Sequence, residues 1–169
     1  MVQAILYTSN TGTTAQYAKL LGEKTGLPVH ALSDAASVPG GAEILYLGWV
    51  MASGVQGYKK AAGRYSVRAV CGVCMGATGS QIRELRKKNK VPENVPVFTM
   101  QGGFDISKLR GIYKMMMSVM AKTVGKNLSE KKDRTPEEDS MLDMMLHGGN
   151  SVSEGNLNAV LDWYEANKK

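Results

Sequence analysis

Only two cysteines occur in the 169 residues, too few for a disulfide framework or a four-cysteine zinc site. They stand as Cys71-Gly72-Val73-Cys74, inside an apolar run that reads as a strand, where positions i and i+3 point to opposite faces. A dithiol redox motif would instead open a helix, whose N-terminus lowers the thiol pKa. No apolar stretch approaches the roughly 20 residues needed to span a bilayer, and no basic segment leading into an apolar one marks a secretory leader. The chain is therefore expected in the cytoplasm. Acidic residues are the scarcer charge, 15 Asp and Glu against 21 Lys and Arg, for a formal net charge of +6. Such a balance favours anionic membranes, acidic proteins or polyanions as partners. No recognised nucleic-acid motif accompanies it, so nucleic acid is not expected among them. Two nucleotide signatures are missing as well: GxxxxGK(S/T), whose Lys reaches the outer phosphates, and the GxGxxG of dinucleotide folds.

What is present near the start is a hydroxyl-rich loop between a strand and a helix. Val2 to Tyr7 is short and apolar enough for a buried strand. From Ala15 to Thr25 the spacing reads as a helix, with Ala18, Leu21 and Gly22 inward and Lys19, Glu23 and Lys24 outward. Between them stand Ser9, Asn10, Thr11, Gly12, Thr13 and Thr14, with no Lys or Arg among them. A helix N-terminus leaves backbone N–H groups unpaired and carries a partial positive charge, which suits a phosphate. The plainer reading is that these hydroxyls only cap the helix.

The run Ser9-Asn10-Thr11-Gly12-Thr13-Thr14 resembles the (T/S)-x-T-G-x-T phosphate loop of flavodoxins at every defined position. The resemblance implies that flavin mononucleotide (FMN) is held by its terminal phosphate through hydroxyls and backbone amides. The rest of the chain is read as short strands at Val29–Leu32, Ala42–Trp49, Val67–Met75 and Val95–Met100, alternating with helices near Gly57–Tyr65 and from a Ser80 cap to Asn89. Alternation of this kind implies α/β architecture, a doubly wound five-stranded parallel sheet covered on both faces. The flavodoxin-like order is 2-1-3-4-5, with ligands at the carboxyl ends of the strands, beside the switch point between the first and third.

At that end the resemblance implies that the flavin ring lies against Trp49 and Val50, Met51, Ala52, Ser53 and Gly54, with Met75 and Gly76 bordering it. Trp49 either stacks on the ring through its flat face or packs the strand end. Because a flavin carries out hydride or single-electron transfer itself, no acid, base or nucleophile is nominated from the chain.

A minimal flavodoxin would place its last helix straight after the fifth strand. Here the candidate is Ser153 to Asn167, with Leu157, Val160, Leu161 and Tyr164 on one face. The intervening segment, about residues 104–150, reads as a helical hairpin inserted into a single domain of residues 1–169. Lys108 to Val124 is amphipathic, with Leu109, Ile112, Tyr113, Met116, Met117 and Met120 apolar and Lys114, Ser118 and Lys122 polar. Thr135-Pro136-Glu137-Glu138 opens a second helix that ends near His147.

Soluble electron-carrier flavodoxins are typically acidic, whereas residues 104–134 of this chain hold eight Lys and Arg against Asp105, Glu130 and Asp133. In position and character the insertion is similar to that of the menaquinone-dependent protoporphyrinogen oxidases built on a flavodoxin fold. That likeness implies an oxidoreductase passing electrons from a porphyrinogen to FMN and on to a quinone. An electron-transfer protein serving a protein redox partner is the alternative. The apolar face of the insertion is expected to pack on the domain, to form a homodimer, or to touch the inner face of the membrane peripherally, the last suiting a protein that meets a membrane quinone.

Overall fold

The computed structural model describes residues 1–105, 108 and 111–168, and gives the backbone alone at several positions from 104 to 146, Tyr113, Met117 and Met120 among them. Leu109, expected to begin the apolar face of the insertion, lies outside the described residues.

The central strands are apolar on both faces because both faces are covered. β1 (Ala4–Thr8) is flanked by β2 (Val29–Ala31) on one side and β3 (Glu43–Met51) on the other. β3 ends in an antiparallel fold-back onto β4 (Gly54–Val55), and its other neighbour is β5 (Ser66–Cys74), followed by β6 (Val97–Gln101). The parallel path runs β2-β1-β3-β5-β6. Without the two-residue β4 it is the 2-1-3-4-5 order expected from the sequence, a flavodoxin-like doubly wound fold.

Alternate strand residues feed two cores. Leu6, Ile44, Tyr46, Val70 and Val97 pack with Tyr58 and Ala61 of α2 (Tyr58–Ala62) and Leu85 of α3 (Ile82–Asn89). On the opposite face, Ile5, Leu45, Leu47 and Cys71 meet Tyr17, Ala18 and Leu21 of α1 (Thr13–Thr25) and, from the C-terminal segment, Leu157, Val160 and Tyr164. Each such side chain contributes about 1.5–3 kcal/mol by leaving water, so the two-sided burial outweighs any local preference of the strands.

Between β6 and the final helix stands the helical insertion. Its root is a two-stranded ladder, β7 (Gly103–Phe104) against β8 (Gly149–Asn150). The hairpin itself is α4 (Gly111–Glu130) and α5 (Pro136–His147), packed against each other. α5 opens with the expected capping box: the Glu138 N–H donates to Thr135 Oγ1 at 3.2 Å and the Thr135 N–H to the Glu138 carboxylate at 3.0 Å. Among the described residues no helix is long and apolar enough to cross a membrane.

Several boundaries differ from the sequence reading. Thr13 and Thr14 belong to α1 rather than to the loop, and Val50, Met51 and Gly54 belong to a β-hairpin rather than to a loop. The last helix is a 3-10 turn over Glu154–Leu157 followed by α6 (Asn158–Asn167). Ser80 does not cap α3. Its hydroxyl donates to the Ala77 carbonyl at 2.6 Å, and Gln81, at φ +60°, takes the cap position without a side-chain bond. α3 begins at Ile82, two residues on, which leaves Ser80 outside the cap position.

Candidate functional site

The loop after β1 lies at the carboxyl edge of the sheet, at the switch between β1 and β3. The Gly12 N–H donates to Ser9 Oγ at 3.1 Å, which folds the loop back before α1 begins. Gly12 itself sits at φ +100°, a left-handed conformation that a side chain resists, and a Cβ there would meet nothing within 4 Å. The first bond of the α1 ladder runs from the Gln16 N–H to the Gly12 carbonyl at 3.1 Å. The amides of Thr13, Thr14 and Ala15 therefore have no acceptor inside the helix.

Two polar atoms where this loop enters α1 are buried and unsatisfied: the Asn10 side-chain amide and the hydroxyl of Thr14, a residue 1% exposed. Both can donate. An unmet buried donor costs about 1–3 kcal/mol, so the acceptor for each is a water or an anion from outside the chain. Hydroxyl and amide donors around a helix N-terminus can take an anion. Thr11 and Thr13 line the adjoining cleft.

A buried hydrogen-bond cluster ties this loop to the next. Thr8 Oγ1 and the Tyr46 hydroxyl both donate to the Gln56 carbonyl, at 2.6 and 2.7 Å, and lie 3.1 Å from each other. Burial pushes the Tyr46 hydroxyl up to about 12, so it stays a neutral donor. The Gln56 N–H in turn donates to the Trp49 carbonyl at 3.0 Å.

Beyond it, the β3–β4 hairpin turns through Ala52 at φ +48° and Ser53 at φ +60°. Positive φ at both central residues is what a tight two-residue hairpin demands, and it is normally met by Asn-Gly. Here Asn89, buried at the end of α3, holds the turn in place. Its amide donates to the Ser53 carbonyl at 2.9 Å and the Leu85 carbonyl at 2.7 Å, and its oxygen accepts the Val55 N–H at 2.9 Å. Sequence reasoning missed Asn89. The signal was its position four residues after the inward Leu85, which puts a polar group on the apolar face of a basic helix.

Trp49 is partly exposed and belongs to neither buried core, while Val50 packs at the edge of the α2/α3 side. Met75 and Gly76 follow β5; the Gln101 amide donates to the Met75 carbonyl at 3.3 Å and Cys74 Sγ to the Gly76 carbonyl at 3.7 Å. Burial pushes the Cys71 thiol up to about 12, and burial likewise raises Cys74 against the pull of that carbonyl contact. Thiols held protonated are poor nucleophiles.

A cleft of about 320 Å³ joins the loop after β1 to the root of the insertion, with Thr11, Thr13 and Gln16 on one side and Asp105, Lys108, His147 and Asn150 on the other. Neither Trp49, residues 50–54, Met75 nor Gly76 lines it. The root is fixed there by direct bonds. The Asn150 amide donates to Gln16 Oε1 at 3.1 Å, the Ser151 N–H to the Gly102 carbonyl at 3.0 Å, and the Asn156 amide to the Tyr17 hydroxyl at 2.6 Å. Gly103 is required for the close approach: a Cβ there would overlap the Gly149 carbonyl and stand 3.0 Å from Thr13 Cγ2. No protein-family model matches the chain, and no curated protein matches its sequence.

Proposed function

We propose that the chain is an FMN-binding, flavodoxin-like oxidoreductase. The observation that carries this reading is the pair of buried, unpartnered donors, Asn10 Nδ2 and Thr14 Oγ1, in a hydroxyl-rich loop at the N-terminus of α1. Bound FMN supplies hydride or single-electron transfer. The chain's part is to hold the phosphate with Ser9 to Thr14, and to present the β3–β4 hairpin, Trp49, Met75 and Gly76 to the ring. Purified protein reconstituted with FMN is expected to be yellow, to carry FMN at one per chain and to prefer it to riboflavin. A protein that stays colourless after reconstitution overturns the reading.

Within that class, a quinone acceptor and a porphyrinogen donor follow from the likeness of the insertion to that of the menaquinone-dependent protoporphyrinogen oxidases. One feature of α4 favours a membrane acceptor over a soluble protein partner. Ile112, Met115, Met116 and Val119 recur at i, i+3, i+4 and i+7, and are 63%, 64%, 47% and 60% exposed. Lys122 continues the same line of the helix. An apolar stripe running into lysine suits the boundary of an anionic bilayer. Flotation with liposomes is expected to rise with anionic lipid, to fall with salt, and to weaken in a Lys114→Glu/Lys122→Glu variant. No lipid binding, together with fast electron exchange with a soluble redox protein, transfers the function to the electron-transfer alternative.

A further inference from the structure

The phosphate-type loop has no cation of its own, yet the fold brings one to it. Lys108, far along the chain in the root of the insertion, lines the same cleft as Thr11 and Thr13. Its ammonium lies 3.5 Å from the Asp105 carboxylate in a solvent-exposed pair, the Lys108 side chain being 62% exposed. Exposed pairs of this kind hold their partners weakly, so the ammonium can swing to a stronger acceptor at little cost. A phosphate dianion is such an acceptor, because charge-assisted bonds to it are shorter and stronger than neutral ones. The ladder at the base of this wall is tied to α1. β7 and β8 pair, Asn150 donates to Gln16 of α1, and Gly103 lets the root close on Thr13.

We infer that Lys108 is the counter-charge of a phosphomonoester held at the N-terminus of α1, so that the insertion completes the phosphate site. This rests on the phosphate-loop reading above and adds a residue to it. The unpartnered donors Asn10 Nδ2 and Thr14 Oγ1 and the free amides of the first turn of α1 would meet one part of the anion's demand. Lys108 supplies the net positive charge that a set of neutral donors lacks. Cofactor binding and seating of the insertion are then one equilibrium, because a ligand that touches both favours the state in which they are together.

The test compares FMN with riboflavin, which lacks the phosphate, in the wild type and in Lys108→Gln, Lys108→Arg and Lys114→Gln. Lys114 is an equally basic residue of the insertion that does not line the cleft. The expected result is a loss of FMN affinity of roughly tenfold or more in Lys108→Gln, the scale of one bond to a charged group. Riboflavin affinity should hold, Lys108→Arg should recover most of the loss, and Lys114→Gln should bind both flavins in solution as the wild type does. FMN affinity unchanged in Lys108→Gln, or reduced equally in Lys114→Gln, overturns the role of Lys108 and leaves the loop assignment standing. A wild type that binds FMN no better than riboflavin removes the phosphate site itself, and Lys108 with it.

Discussion

Gly12→Asp is expected to abolish FMN binding while leaving the fold intact. Gly12 stands at φ +100° immediately before α1, and a side chain there would find open space within 4 Å. Crowding therefore contributes nothing, and the left-handed conformation costs on the order of 1–2 kcal/mol for a residue with a Cβ. The carboxylate decides the outcome. At the start of α1 it satisfies the free amides of the first turn and takes the place of the anion they would hold. It also repels a phosphate; two like charges 4 Å apart near a surface oppose each other by about 4 kcal/mol, on the order of a thousandfold in affinity. Gly12→Ala carries the strain without the charge, and is expected to lose less than about tenfold. Titration with FMN and riboflavin separates the two effects, since the charge penalty falls on FMN alone. Unchanged FMN affinity in a folded Gly12→Asp protein would remove the assignment of residues 9–14 as a phosphate loop.

Gly57→Ala is expected to be the most damaging small substitution in the chain. The residue sits at φ +80°, and a Cβ there would overlap the Tyr46 hydroxyl, stand 2.6 Å from Thr8 Cγ2 and 3.2 Å from Leu32 Cδ2. Tyr46 cannot give way without losing its bond to the Gln56 carbonyl, which Thr8 shares. Left-handed strain and overpacking together amount to about 2–5 kcal/mol. In a chain of this length that lowers Tm by roughly 5–15 °C. Gly26→Ala is the matched control, because Gly26 is at φ +73° with nothing within 4 Å of an added Cβ. It should cost only the strain, about 1 kcal/mol. Equal losses of Tm in the two variants would mean that contact with Tyr46 and Thr8 contributes nothing. Because the same cluster joins the end of β1 to the segment after β4, Gly57→Ala should also loosen the hairpin that the proposed flavin site requires.

The order of strands and helices was legible from the sequence because it depends on local quantities. Unbroken apolar runs such as Ile44 to Leu47 mark strands covered on both faces, and the spacing of Ala18, Leu21 and Gly22 marks one face of a helix. The hydroxyl loop was equally plain, since its residues are contiguous and its neighbours are a strand and a helix. The position of the insertion, and the Thr135 capping box that starts its second helix, needed only short-range pattern. Tertiary structure alone decided what those elements bring together. Asn89 reaches back 34 residues to Val55, and the Thr8 hydroxyl reaches 48 residues to Gln56. No periodicity encodes such pairs, because each depends on how two loops close over the sheet edge. Ser80 illustrates the same limit at short range, where a residue suited to a helix cap spends its hydroxyl on the preceding turn instead. The charge of the insertion could be counted in the sequence, but not its placement. That Lys108 shares a cleft with Thr11 and Thr13, while Ile112, Met115, Met116 and Val119 are left facing water, depends on the pairing of β7 with β8 and the grip of Asn150 on Gln16. Hydrogen bonds between segments this distant in sequence form only once the sheet has set the distance between them.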